Sequence, residues 1–359
     1  MTALATGTGG VGSCFISQLT WLSKNLPSTR LSLCYISMID KALYRPDYAE
    51  IDFDTALFTL EATGVEPPPI STIVEYLAAA PHNVILVDNT SAISLAEAYP
   101  AFLRRGISII TPNKKAFSGS YQLWQEIFSS ATSGGSYFYH ESSVGAGLPI
   151  ISTLKDLVQT GDEITRIEGV FSGTMSHLFN KFAPTSGSGG KWSNIVREAK
   201  ELGFTEPDPR DDLNGLDVAR KLTILGRLAG LPIESPASFP VESLIPAALE
   251  NVANADEFLR SLSKYDNEME EKKLAAERSG KVVRFVGSVD MLGKKAKVGL
   301  EWVDQTNPIA NLKGSDNIIS FYTKRYGDMP LSIRGAGAGG PVTAMGVTGD
   351  LLKVLCQLR

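Results

Sequence analysis

Lys221 follows Asp217 by four residues, a spacing that puts both on one face of a helix. Val218, Leu222, Ile224 and Leu225 around them are apolar, so the helix is expected to be largely buried. Burial lowers a lysine pKa and an adjacent carboxylate raises it. Either balance makes Lys221 a candidate acid or base, with Asp217 as its partner. The same stretch, 205–221, is the densest polar segment of the chain. Pro207 and Pro209 stiffen its start, and five carboxylates fall within the twelve residues 206–217. A plainer reading is a charged helix start, since acids near a helix N-terminus complement its dipole.

Gly7-Thr8-Gly9-Gly10-Val11-Gly12 fits G-x-G-x-x-G ahead of an amphipathic stretch. The first glycine permits a tight turn, the second lets backbone approach a pyrophosphate, and the third lets helix and strand pack closely. The helix N-terminus attracts the phosphates. The strand before the motif is expected at 3–6, short for a central strand. Two further polar clusters, Asp88-Asn89-Thr90-Ser91 and Thr111-Pro112-Asn113-Lys114-Lys115, each follow an apolar run. They are expected at C-terminal strand ends, where open α/β sheets bind ligands. Asn89, Thr90 and Ser91 suit the nicotinamide side. Lys115 suits a substrate carboxylate or proton transfer, and Lys114 reads as a solvated loop residue. The second strand ends at Ser37-Met38 with no carboxylate at its tip, while Asp40, Lys41 and Arg45 follow. A carboxylate there favours NAD and a cation NADP, so the choice stays open, leaning to NADP or dual use.

These residues need elements to position them. Short apolar runs at 31–36, 84–87 and 107–110 alternate with helical stretches at 12–24, 94–105 and 120–129. That alternation predicts a Rossmann-type, doubly wound parallel sheet, an α/β fold. After residue 149 the pattern changes. A helix is expected over 214–228, a charged helical region over 255–278, and strands at 163–171, 282–289, 295–302, 318–323 and 331–333. Together they predict an α+β second domain. The Ser/Gly-rich segment 183–191 reads as a loop.

Composition narrows the classes. Hydrophobic residues make 43% of 359 and charged residues 20%, values of a globular chain. Lys and Arg (34) are outnumbered by Asp and Glu (39), net −5, which argues against nucleic acid as a partner. No apolar run approaches the ~18 residues of a membrane span, and the start lacks a secretory pattern. Cys14, Cys34 and Cys356 lie far apart, as reduced thiols do, and a cytoplasmic protein is expected. His82, His140 and His177 lack zinc-ligand spacing.

Over nearly its whole length the chain resembles homoserine dehydrogenase, in the short monofunctional fungal form. The resemblance rests on Gly7–Gly12, on Thr111-Pro112-Asn113-Lys114-Lys115-Ala116-Phe117, and on His140-Glu141-Ser142-Ser143-Val144-Gly145-Ala146-Gly147-Leu148-Pro149. It also rests on Gly169-Val170-Phe171-Ser172-Gly173-Thr174, on 205–221, and on Gly335-Ala336-Gly337-Ala338-Gly339. It implies reversible, NAD(P)H-dependent reduction of aspartate 4-semialdehyde to homoserine, towards threonine and methionine. Lys221 and Lys115 fall at the catalytic lysines and Asp217 beside Lys221. Glu206 and Asp212 fall where the substrate amino group is held, with Gly173 and Thr174 in the pocket. Gly7, Gly9, Gly10, Val11, Gly12, Asn89, Thr90, Ser91, Lys115 and Gly337 fall at the cofactor. A monovalent cation, usually sodium, is implied at Glu141, Val144, Ala146 and Leu148, mostly through backbone carbonyls. Also implied are a nucleotide domain of residues 1–148 and 335–359, a catalytic and dimerisation domain of 149–334, and a homodimer through the second sheet. Phe204 departs from the family's usual Tyr. Neither an aspartokinase domain nor a C-terminal regulatory domain is expected. An acylating semialdehyde dehydrogenase would need a reactive cysteine, and a binding module without catalysis would share only the fold.

Overall fold

The computed structural model describes residues 2–26 and 31–358. The chain divides into two compact units, Met1–Ile151 with Ala338–Arg359, and Ser152–Gly337.

The first unit begins β1 (Thr2–Gly7), α1 (Gly10–Asn25), β2 (Leu31–Ser37), β3 (Ala42–Tyr44), α2 (Ala56–Thr63), α3 (Ile70–Ala78) and β4 (Asn83–Val87). It continues α4 (Ile93–Glu97), α5 (Tyr99–Arg104), β5 (Ser108–Ile110), α6 (Lys114–Ser118), α7 (Tyr121–Gly134), β6 (Phe138–Tyr139) and the start of α8 (Ile150–Gln159). The sheet order is β3-β2-β1-β4-β5-β6. All neighbours run parallel except the edge strand β3. β2 and β4 are buried along almost their whole length, as parallel strands covered on both faces must be. The reversal of strand order lies at β1 and β4, so the Gly7–Gly12 turn and the Asp88–Ser91 loop open side by side.

β1 corrects the expectation of a short strand. It has six residues and pairs on both sides, with β2 and with β4. The helix expected over 94–105 is two helices. Pro100 in the first turn of α5 has no N–H to continue α4, so the chain restarts there. Lys114, expected in a loop, opens α6 together with Lys115.

The second unit contains β7 (Ile164–Val170), α9 (Gly173–Phe182), α10 (Trp192–Glu201), α11 (Arg210–Leu213), α12 (Leu216–Leu228), α13 (Ala255–Leu262) and α14 (Asp266–Glu277). Then come β8 (Lys281–Asp290), β9 (Lys295–Asp304), β10 (Asp316–Thr323) and β11 (Leu331–Ala336). The sheet order is β11-β10-β7-β8-β9 and every pairing is antiparallel. α9 and α12 pack on β8. A Cβ at Gly287 of β8 would come within 2.8 Å of Leu222 on α12, so this glycine lets the helix sit close to the sheet.

The C-terminal helix α15 (Gly340–Gln357) belongs to the first unit. Its Ala344, Val347, Leu351 and Val354 share one core with Leu4, Phe15, Leu33 and Ile85. The first unit resumes at Ala338. Gly335 and Ala336 are still paired in β11, opposite Asn317 and Asp316.

Candidate active site

In the second unit, Gly215 at φ +74° turns the chain into α12. The helix buries Val218, Ala219, Lys221 and Leu222. Lys221 is only 8% exposed. Its ammonium lies 2.7 Å from Asp217 Oδ2 and donates to the Phe171 carbonyl, also at 2.7 Å. The partner carboxylate is less buried, with 40% of its side chain exposed. The lysine therefore sits at the end of β7, held from its own helix and from the strand.

The next residues after Phe171 build a second cluster. Ser172 caps α9 by accepting from Met175 N. Gly173 opens that helix, and a Cβ there would press to 3.1 Å from the Ser315 carbonyl. Thr174 Oγ1 lies 2.7 Å from the Phe204 carbonyl and 2.8 Å from Asp212 Oδ1. Asp212 Oδ2 accepts from Glu206 N–H at 2.8 Å. Burial pushes the Asp212 carboxyl above its ordinary value, and the charges of Glu206 and Asp217 push the same way. The Glu206 side chain is exposed. One turn, 171–174, thus joins Lys221–Asp217 to Thr174–Asp212–Glu206. Asp208 is drawn off, because its carboxylate pairs with Arg210 at 2.6 Å.

In the first unit, the glycine loop meets the geometric demands of a dinucleotide. A Cβ at Gly12 would fall 2.3 Å from the Gly7 carbonyl, so strand and helix touch there. A Cβ at Gly9 or Gly10 would meet nothing within 4 Å, leaving open space at the N-terminus of α1. Phosphate oxygens fit that space and the free N–H groups beside it. Thr8 fastens the loop to β2 through Ser37 O. Val11 is half-buried on α1. Asn89 donates to Thr6 Oγ1, and its own buried Oδ1 has no partner among the described residues. Thr90 N is held by Asp88, and Ser91 is exposed. Near the tip of β2, Lys41 is committed to Glu61, while Asp40 and Arg45 are exposed.

Asp88 is 1% exposed and accepts from Tyr99, Asn113 and Thr90. Burial and the Asp88 charge hold the Tyr99 hydroxyl well above its ordinary pKa, so it stays a donor. Asn113 caps α6 by accepting from Lys115 N at 3.1 Å. Lys115 is half-buried, and its ammonium makes no hydrogen bond or ion pair among the described residues.

The 141–148 loop fits a hard cation in part. Gly145 and Ala146 are both left-handed, φ +78° and +54°, which is costly for Ala146. Among the described residues, the carbonyls of fully buried Val144 and of Ala146 take no part in the loop's backbone hydrogen bonds. The Leu148 carbonyl accepts from Ile150 N. Glu141 Oε1 accepts from Ile151 N, and Oε2 lies 3.6 Å from Lys353. Gly337 is required by packing, since a Cβ would fall 2.0 Å from Asn317.

Sequence reasoning missed several of these partners. Phe171 acts through its backbone, which carries no side-chain signal. His177, one turn beyond Thr174, stacks on Phe204 with ring centres 4.1 Å apart. Its (i, i+3) spacing from Thr174 was the available clue.

A parallel sheet with this glycine loop, and a buried lysine held by a carboxylate, define an NAD(P)-dependent oxidoreductase. Family models agree: one described as homoserine dehydrogenase matches residues 149–352, and one described as homoserine dehydrogenase, NAD binding domain, matches 7–141. The homoserine dehydrogenase of Emericella nidulans is 57% identical, covering 98% of this chain and 97% of that one. That of Saccharomyces cerevisiae is 48% identical over 98% and 97%. A crystallised Candida auris protein, described as of unknown function, superposes with a TM-score of 0.94 at 45% identity, over 99% of both chains. A hyperthermophilic archaeal homoserine dehydrogenase in complex with NADPH shares the fold, with a TM-score of 0.75 at 24% identity over 100% of both.

The chain belongs to the homoserine dehydrogenase family. It is an NAD(P)-dependent enzyme acting on a CH–OH group, interconverting aspartate 4-semialdehyde and homoserine towards threonine and methionine. The acylating alternative falls with this family assignment. Cys34, which donates to Leu4 O, has its thiol pushed up to about 11 by burial, the opposite of an activated nucleophile. No helix among the described residues is long and apolar enough to cross a membrane.

Proposed function

We propose that Lys221 is the proton donor of the reduction and the acceptor of the reverse reaction. The observation that carries this is its buried ammonium, held between Asp217 and the Phe171 carbonyl. The dinucleotide, when bound, supplies the hydride to the carbonyl carbon or takes it back. As the substrate oxygen gains negative charge, the Lys221 ammonium stabilises it and gives up a proton. Asp217, 2.7 Å from the ammonium, aims the lysine. Glu206 and Asp212 hold the substrate ammonium, with Gly173 and Thr174 forming the wall beside them. Lys115, whose ammonium has no partner among the described residues, takes the substrate carboxylate or assists the proton transfer.

Gly7, Gly9, Gly10, Val11 and Gly12 hold the pyrophosphate, Asn89, Thr90 and Ser91 the nicotinamide side, and Gly337 contributes backbone. The absence of a carboxylate at Ser37-Met38 favours NADP or use of both dinucleotides. Glu141, Val144, Ala146 and Leu148 hold a monovalent cation, sodium; the Val144 and Ala146 carbonyls, outside the loop's backbone hydrogen bonds among the described residues, support that reading. The enzyme pairs as a homodimer through the second sheet, whose edge strand β9 carries Trp302, 50% exposed. Three free cysteines fit the reducing cytoplasm.

The test is homoserine-dependent production of reduced cofactor from NAD⁺ and NADP⁺ in parallel, for wild type and Lys221→Ala. The variant is expected to lose at least ~10²-fold in kcat. A near wild-type kcat would overturn the assignment. The ratio of the two wild-type rates gives cofactor preference.

A further inference from the structure

Three oxygens in the second unit form a short chain: the Phe204 carbonyl, Thr174 Oγ1 and Asp212 Oδ1. The links are 2.7 and 2.8 Å, each the length of a full O–H···O bond. Two such bonds need two protons. The threonine hydroxyl supplies one, and a backbone carbonyl supplies none. A single proton shared between two acceptors gives longer arms. Tyr76 illustrates that case, with its hydroxyl 2.9 Å from the Arg45 carbonyl and 3.2 Å from the Cys34 carbonyl.

We infer that Asp212 carries a proton in the substrate-free protein and releases it when the substrate ammonium binds. This rests on the reading of Asp212 as an ammonium partner. In the free state Thr174 donates to the Phe204 carbonyl, and the Asp212 O–H donates to Thr174. The other carboxyl oxygen, Oδ2, accepts from Glu206 N–H. When the ammonium arrives, the Asp212 O–H bond breaks, the proton passes to solvent, and the carboxylate accepts an N⁺–H bond instead.

The surroundings favour this exchange. Burial raises the Asp212 pKa, and the charges of Glu206 and Asp217 raise it further. The nearby cations are already engaged, Arg210 by Asp208 and Lys221 by Asp217. On α9, Lys181 pairs with Glu198, and burial disfavours a charge on His177. An incoming ammonium is thus the cation that Asp212 lacks. The pocket holds less negative charge while empty than a count of its carboxylates implies.

The test uses the NADPH-loaded enzyme with homoserine, both reduced, so that no turnover occurs. Calorimetry in two buffers of different ionisation heat, at matched pH, counts protons released per site. Wild type is expected to release protons on binding, more per site at acid than at neutral pH, because burial holds the Asp212 carboxyl above its ordinary value. Asp212→Asn keeps a donor for Thr174 and an acceptor for Glu206 N–H but cannot become an anion. It is expected to lose that release and to bind homoserine at least ~10-fold more weakly, the scale of a lost charged hydrogen bond. Homoserine binding by wild type without proton release overturns the proposal and leaves Asp212 as an ammonium partner. Wild-type affinity in Asp212→Asn overturns that partnership itself. A second readout uses wild type only. With carboxyl-labelled aspartate, the infrared band of a protonated carboxyl must be present before homoserine and vanish on binding; its absence beforehand overturns the proposal.

Discussion

The buried Asp88 carboxylate accepts a hydrogen bond from the Asn113 amide at 3.1 Å, and through it the nucleotide loop and the Lys115 helix become one piece. Asp88 Oδ1 also holds Thr90 N–H at 2.8 Å, in the loop that carries Asn89 to Ser91. Asn113 passes the constraint on, because its Oδ1 caps α6 at Lys115. Tyr99 adds a donor to the same carboxylate and lies 3.0 Å from Thr111 Oγ1. The charge sits among neutral donors, which suits an element that must be rigid rather than mobile.

Asp88→Ala would strip partners from the Thr90 N–H, the Tyr99 hydroxyl and the Asn113 amide together. Buried donors left unsatisfied cost about 1–3 kcal/mol each, and some find other acceptors, so a loss of ~2–4 kcal/mol is expected. Chemical denaturation would report it. The dinucleotide KM should rise as the 89–91 loop loosens. A variant with unchanged stability and KM would show that the network positions nothing.

Two glycines of one loop should separate folding from binding. Gly12→Ala drives a Cβ to 2.3 Å from the Gly7 carbonyl, so the helix must move off the strand. A marked drop in melting temperature is expected, with dinucleotide binding lost alongside. Gly9→Ala meets no protein atom within 4 Å and should melt like wild type. The added methyl would occupy the space left for phosphate, raising the dinucleotide Kd at least ~10-fold, about 1.4 kcal/mol. If both variants behave alike in thermal melts and dinucleotide titrations, the division of roles is wrong.

The 141–148 loop, proposed to hold a cation, gives a prediction that does not pass through activity. A ligand that binds only the folded protein raises its melting temperature with concentration. Exchanging choline chloride for sodium chloride at constant ionic strength should therefore raise the wild-type melting temperature. Glu141→Gln should reduce the rise, because the one carboxylate of the proposed ligand set is gone. An equal shift in both proteins would mean that sodium acts elsewhere. Independently, Ala146→Gly relieves a left-handed alanine at φ +54° and should stabilise the fold by up to ~1 kcal/mol.

How much of this was legible depended on the kind of group involved. Lys221 and Asp217 were readable because helical spacing and apolar neighbours fix a face. The parallel strands were readable because burial on both sides demands continuous apolar runs, as in β2 and β4. α6 was not, since five residues are too few to show a period. β6 has two residues and β3 three, and their pairing depends on neighbours far along the chain. The Phe171 carbonyl is main chain, identical in every residue. Phe204 meets His177 across 27 positions, a contact that only the tertiary fold specifies.

His177 supplies the acid-side prediction. Burial, and after it the Lys181 charge, lower its pKa below the usual value, so the fold keeps it neutral while it stacks on Phe204. The unfolded chain takes up a proton near pH ~6.5 and the folded chain does not until a lower pH. Stability from this residue is thus full above pH ~6.5 and lost as pH falls from there through the depressed folded value. His177→Phe keeps a ring against Phe204 and removes the titration. Denaturation midpoints should therefore fall less between pH ~7.5 and ~5.5 in the variant than in wild type, a window above the ordinary carboxylate range. A carboxyl raised by burial, such as Asp212, acts with the opposite sign and equally in both proteins, because it favours the fold as acid increases. Parallel midpoint curves for the two proteins across that window would show that His177 is not held neutral.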